Sequence, residues 1–203
     1  MTDEEKMDSL MIDALTEAGN IGAGHAATSL SKMLRENIMN HSSTSKLVPI
    51  HKVPEALGGA EKVVAGIYTT FSGELTGGIL MLFPEQSVNT ISKILCDSEI
   101  RDMKLTEIQN SMLCEIGNIC LCWYLEAIGK LVGIDIIPTP PVAAYDMIGA
   151  VIDLPLIELG KMADSALVIL TEFKGEVHEI EGIFLMLPEP ESQREIAKRL
   201  GVA

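Results

Sequence analysis

Apolar side chains recur every three to four positions along two long stretches of this chain, and the pattern shortens to strand-like runs between them. Stepping 100° per residue from Asp13, the side chains of Met11, Leu15, Ala18, Gly22, Ala26, Ser29 and Met33 fall within an arc of roughly 80°. This predicts a helix over about 8–36. Leu113, Ile116, Cys120, Tyr124, Ala127 and Leu131 cluster in the same way and predict a second helix over about 105–132, with Thr106 placed to cap it. After the first helix the pattern predicts strands at about 46–53, 62–72 and 75–83 and a short helix at 85–95. The run KVVAGIYTTF is rich in β-branched and aromatic residues, which suits a strand. After the second helix come a strand around IDIIP, an ambiguous segment at 142–160 that reads as a helix broken before Pro155, strands at 165–174 and 178–187, and a final helix at 189–200.

The polar positions repeat as well. Asp13-x3-Glu17-x2-Asn20 on the first helix returns ninety-eight residues later as Ser111-x3-Glu115-x2-Asn118 on the second. Positions i, i+4 and i+7 share one stripe of a helix, and in both copies that stripe lies opposite the apolar face. An exposed Glu and Asn are usually solvated surface, but two copies in one register suggest paired sites. Asn is an indifferent helix former and Gly costs roughly 1 kcal/mol against Ala, yet Asn20 stands among Gly19, Gly22 and Gly24 and Asn118 follows Gly117. Gly22 is on the apolar side, where close backbone packing explains it. Gly24 is on the polar stripe, where a missing side chain leaves room for a visitor; Cys122 takes the corresponding place on the second helix.

The strand-Pro-helix unit GGILMLFPEQSVNTISKILCD (77–97) is echoed by EGIFLMLPEPESQREIAKRLG (181–201). We therefore expect a single domain, 1–203, built from an internal repeat, 8–100 and 105–203. The short joint at 96–104 favours one compact body.

Composition narrows the function. Hydrophobic residues make up 47% of the 203, few of them aromatic, so the core is aliphatic with eleven Met as filler. A net charge of −14 argues against nucleic acid and anionic membrane surfaces. No apolar run nears the roughly 20 residues that span a bilayer, and the acidic start MTDEEKMDSL reads as no signal peptide. A cytoplasmic protein is expected. Its four Cys (Cys96, Cys114, Cys120, Cys122) lack disulfide-framework spacing and read as reduced thiols.

EAGNIGAGHAATSLSKML and EIGNICLCWYLEAIGKLVG, about a hundred residues apart, closely resemble the CheC family of bacterial and archaeal chemotaxis phosphatases. The family motif runs Asp or Ser, three residues, Glu, two residues, Asn, then Pro 23 positions after the Asn. Ser111, Glu115, Asn118 and Pro141 match it fully; Asp13, Glu17 and Asn20 match it in the first half, where position 43 is Ser. The two-site layout looks like CheC rather than single-site CheX, and unlike the flagellar-switch relatives, which carry a further C-terminal module. The resemblance implies an α+β fold: two long helices packed on a mostly antiparallel sheet, a two-layer body with pseudo-twofold symmetry. It implies dephosphorylation of the aspartyl phosphate of the response regulator CheY, and the receptor deamidase CheD as a partner. Glu17, Asn20, Glu115 and Asn118 are then the catalytic candidates, with Asp13, Ser111, Gly24 and Pro141 in support. No cofactor of its own is implied, since the regulator brings its own Mg2+ and Lys.

The amide is suited to that chemistry because its oxygen accepts from water while its NH2 donates, and fixing an attacking water is an orientation effect. The Glu would pair with the regulator's Lys. A general-base role ranks below this, because a solvent-exposed carboxylate is a poor base at neutral pH.

Other constellations rank lower. GNIGAG (19–24) resembles a phosphate-binding loop, but it follows a helical pattern rather than a strand and lacks the Gly-Lys-Ser/Thr ending. Cys114, Cys120 and Cys122 point about 60° to 160° apart on a helix, too divergent for one metal ion. His25, His41, His51 and His178 show no ligand or triad spacing, and GEVHEIEG (175–182) reads as a hairpin turn. The rival to the phosphatase is a non-catalytic adaptor that binds phospho-CheY or CheD. A monomer is expected in either case, because the repeat supplies its own pseudo-twofold partner.

Overall fold

The computed structural model describes residues 3–160, 165–178 and 180–201. The ends of the expected 1–203 domain, and Glu179 in the expected strand 178–187, lie outside that set. In chain order the elements are α1 (Asp3–Leu34), β1 (Ile38–Pro49), a 3-10 turn (Ile50–Lys52), α2 (Val53–Ala56), β2 (Val63–Gly73), β3 (Gly77–Pro84), α3 (Glu85–Cys96), α4 (Glu107–Val132), β4 (Ile136–Pro138), β5 (Val142–Met147), α5 (Ile148–Gly160), β6 (Ser165–Gly175), β7 (Glu181–Pro188) and α6 (Pro190–Arg199). The class is α+β, as expected.

The two long helices begin and end by identifiable devices. Thr106 starts α4 with a capping box: its side chain accepts from the Gln109 N–H, and the Gln109 side chain accepts from the Thr106 N–H. Both helices close in the left-handed region, α1 at Arg35 (φ 53°) and α4 at Gly133 (φ 70°). The next N–H then turns back to the helix, Glu36 to Ser31 O at 3.2 Å and Ile134 to Gly129 O at 2.9 Å, satisfying a carbonyl the helix leaves free.

α1 and α4 run antiparallel: Gly22 meets Tyr124, and four residues on Ala26 meets Cys120. The approach is close because Gly22 has no side chain, since a β-carbon there would lie 2.8 Å from the Tyr124 Cα. Gly117 does the same for the sheet, where a β-carbon would overlap the Ile67 side chain. Leu15, Ala18, Ala26, Leu30, Ile116, Cys120, Tyr124 and Ile128 fill the space above the sheet together with Ile67, Ile79, Met81, Phe83 and Phe184. α4 is, among the described residues, the helix long and apolar enough to cross a bilayer by length and composition, which the sequence reading did not expect. More than half of that stretch is buried inside the protein.

The strands form a seven-stranded antiparallel sheet in the order β1-β6-β7-β3-β2-β4, with β5 also on β2. β3 and β7 are the centre. Their residues alternate between faces: Ile79, Met81 and Phe83 turn toward the long helices, while Leu80 and Leu82 turn away. The far face is also covered, by Val53 of α2 and by Ile148, Ile152 and Leu156 of α5, packed on Val64, Leu80, Leu82, Leu185 and Leu187. The expected two layers therefore gain a partial third. It also explains why GGILMLFP is continuously apolar, as strands buried on both faces are.

Two expected elements are corrected. The first strand is Ile38–Pro49 rather than 46–53, and residues 50–56 coil as 3-10 and α-helix. IMNHSSTSK shows no apolar alternation because β1 is an edge strand held by its ladder to β6. The segment 142–160 is a strand followed by one helix that continues through Pro155 instead of breaking before it. Proline inside a helix costs about 3 kcal/mol. Burial of Ile148 and Ile152 before it and Leu156 after it, on one apolar cluster, outweighs that cost.

β6 ends at Gly175 and β7 begins at Glu181, and the described residues between them at 176–178 are tied to the end of α1. Glu36, almost fully buried, accepts from the N–H groups of Val177 (2.9 Å) and His178 (2.8 Å), and its other oxygen lies 2.6 Å from His178 Nδ1. Burial works to raise the Glu36 pKa, but the His178 and Val177 hydrogen bonds outweigh it and hold the carboxyl below its ordinary 4.5.

Candidate functional site

On both long helices the polar stripe faces outward. Asp13 and Glu17 are exposed and Asn20 is half-buried; Ser111, Glu115 and Asn118 are all exposed. Gly24 lies one turn beyond Asn20, and a β-carbon added there would meet nothing within 4 Å. Two positions away Gly22 is closed by α4, so neighbouring glycines serve packing and openness respectively. The crossing of the helices separates the two stripes. There His25 of α1 and Trp123 of α4 stack with centroids 5.1 Å apart and planes inclined by 21°.

Each stripe stands beside a different strand edge. Asn20 lies next to β1, where Asn40 Nδ2 donates to the Asn20 main-chain carbonyl at 3.2 Å. Asn40 sits at a bulge in the β1–β6 ladder, after which the strand runs on through Ser43, opposite Thr171. Asn118 stands at the opposite edge of the sheet, where β4 stops at Pro138 and β5 begins at Val142. Ser111, Cys114, Glu115 and Asn118 form one wall of an open groove of about 550 Å3, and Pro138, Thr139, Pro140 and Pro141 form the other. The structure thus brings Pro141 together with Ser111, Glu115 and Asn118. It also adds Cys114 and Thr139, which the sequence reading left out.

Cys122 modifies the second stripe. Its sulfur lies 3.8 Å from Asn118 Oδ1. Burial, and then the Glu126 carboxylate, push its pKa up, so at neutral pH it is a thiol able to donate weakly to the amide. Cys120 faces the core and is a different case: burial pushes its thiol up to about 12, which leaves it inert. Among the described residues no three His, Cys, Asp or Glu side chains gather as a metal site.

The first stripe and the segment after it, residues 11–39, match the family model described as CheC-like. Over 197 residues the chain is 32% identical to the CheY-P phosphatase CheC of Bacillus subtilis (strain 168), covering 95% of this chain and 94% of that one. The chain belongs to the CheC-like family. That places it among chemotaxis proteins of the CheC type. The fold has wider company: Thermotoga maritima FliY superposes with a TM-score of 0.72 at 19% identity, covering 94% of this chain and 96% of that one. The FliM middle domain of H. pylori gives a TM-score of 0.63 at 10% identity, covering 93% and 97%. At those identities the likeness is one of CheC-like architecture.

Proposed function

We propose that this protein hydrolyses the aspartyl phosphate of a CheY-type response regulator at two sites, Glu17/Asn20 on α1 and Glu115/Asn118 on α4. The observation that carries the reading is a pair of outward-facing Glu/Asn stripes, equally spaced on two antiparallel helices, in a relative of a CheY-P phosphatase. Open stripes suit a substrate that is itself a folded protein carrying its own Mg2+ and Lys. The carboxamide oxygen of Asn20 or Asn118 accepts a hydrogen bond from water and holds it in line with the phosphorus. A bond forms from the water oxygen to phosphorus, and the bond from phosphorus to the aspartate oxygen breaks. The carboxylate leaves with the bonding pair, inorganic phosphate departs, and the water's proton goes to phosphate or solvent. Glu17 and Glu115 pair with the regulator's Lys and fix register. Asp13, Ser111, Gly24 and Pro141 shape the approach. In this reading the protein acts as a cytoplasmic monomer.

The test is release of inorganic phosphate from excess phosphorylated regulator. Many turnovers per protein molecule are expected. A second reading, an adaptor that holds phospho-CheY or CheD without turnover, draws on exposed apolar side chains that serve no catalytic step: Leu154 and Ile157 of α5, with Val142 and Met147 of β5. Tight binding of the regulator without faster phosphate release, with and without CheD, would favour the adaptor.

A further inference from the structure

The wall opposite Asn118 is built from a segment that is poor in means of attachment. Between the ladder pairs Phe71–Pro138 and Tyr68–Val142, β2 contributes Thr69 and Thr70, while the facing chain contributes Thr139, Pro140 and Pro141. Three residues against two make a bulge, which pushes the extra residue out of the ladder. Pro138, Pro140 and Pro141 have no N–H, so Thr139 carries the only backbone donor in 138–141.

Thr139 uses every polar group it has on two neighbours. Its N–H donates to Thr70 O at 2.8 Å. Its carbonyl accepts from the Thr69 hydroxyl at 2.5 Å. Its own hydroxyl lies 3.0 Å from Thr70 Oγ1 and 3.1 Å from Thr69 Oγ1, and accepts from the Thr70 N–H at 3.2 Å. Thr69 is only 3% exposed. A buried hydroxyl needs a partner for its single proton, and the Thr139 carbonyl is the shortest contact it makes. The first stripe differs: past the bulge at Asn40 the chain beside Asn20 returns to the β1–β6 ladder, where Ser43 pairs with Thr171 and Thr44 with Leu170.

We propose that Thr69, acting through Thr139, is the positioning residue that holds the Pro138–Pro141 wall, and that regulator docking at the second site depends on it while docking at the first does not. This rests on the function proposed above. Thr69 lies behind the groove lining, so its effect reaches the regulator only through the wall. Losing the hydroxyl leaves a looser wall and a weaker encounter, with the amide and its water unchanged once the regulator is seated.

The experiment places Thr69→Val in two single-site backgrounds, Asn20→Ala (second site alone) and Asn118→Ala (first site alone). KM and kcat are measured for the phosphorylated regulator, with the thermal midpoint as a folding check. In the second-site background KM should rise roughly five-fold, as loss of one hydrogen bond allows, with kcat within about two-fold. In the first-site background both should stay within about two-fold. Thr69→Ser, which keeps the hydroxyl, should restore KM. Equal effects in both backgrounds, or an unmoved KM in the second-site background, would overturn the proposal. Should Thr69→Val not fold, Thr69→Ala removes the same hydroxyl, and the same split between backgrounds is required of it. If the parent protein itself turns over no phosphate, the phosphatase reading fails. The clamp is then judged on affinity for the regulator carrying beryllofluoride, where the same selective weakening is required.

Discussion

The two long helices carry one polar pattern, but what stands opposite each pattern differs. Across from Asn20 is a continuous edge strand, bulged at Asn40. Across from Asn118 the corresponding strand is cut into β4 and β5 by a proline-rich link. Ninety-eight residues separate Asn20 from Asn118, and the same interval takes Ile38 and Pro49, the ends of β1, to Ile136 and Met147, the outer ends of β4 and β5. The spacing of these element ends is shared, but prolines at 138, 140 and 141 replace a bulged strand edge with a groove wall. Gly24 leaves the first stripe open, while the Cys122 sulfur sits against the second amide. Similar polar stripes are thus set opposite dissimilar surfaces.

The largest expected effect tests the platform both stripes share. Gly22→Leu forces a side chain into the α1–α4 crossing, where even a β-carbon would lie 2.8 Å from backbone. It should cost about 3 kcal/mol in denaturant unfolding. Gly24→Ala, two residues away, should be neutral or stabilise by up to about 1 kcal/mol, because it only gains helix propensity. Equal costs at the two glycines would refute the contrast between a closed and an open face.

The helix ends give the next effects. Glu36 is the buried acid of the first half, and its counterpart is apolar Ile134. Glu36→Gln should cost about 2 kcal/mol at neutral pH, as for hydrogen bonds to a charged group. The folded-state pKa is depressed, so the carboxylate's stabilisation is present above the ordinary 4.5 and is lost as pH falls through the folded value. The gap in unfolding free energy between parent and Glu36→Gln should therefore close in acid. A gap that widens there would contradict the stabilising role of the Glu36 carboxylate. Arg35 and Gly133 occupy matching left-handed positions, but only glycine takes that conformation freely. Arg35→Gly should raise stability by about 1 kcal/mol, readable as a higher thermal midpoint, while Gly133→Arg lowers it.

Much of this was legible in the sequence where a single element carries the information. Period 3.6 placed the apolar faces of α1 and α4 and the outward stripe, because a helix decides its own faces. The Pro-led starts of α3 and α6 and the apolar runs of β3 and β7 were equally local. What escaped depends on which distant segments pair. IMNHSSTSK gives no strand signal until β6 lies beside it. Pro155 reads as a break until the cluster under α5 holds both sides of it. Thr69 and Thr139 are ordinary threonines seventy residues apart until β2 and β4 adjoin. The Glu36–His178 contact spans still more chain.

The central claim is that the carboxamides of Asn20 and Asn118 perform the chemistry. The measurement that tests it most directly is the single-turnover loss of label from phosphorylated regulator with Asn20→Ala, Asn118→Ala and the double variant, at saturating protein. Each single variant should keep part of the acceleration, and the double should fall to the regulator's own rate while still binding it. A double variant that dephosphorylates at the parent rate would contradict the account.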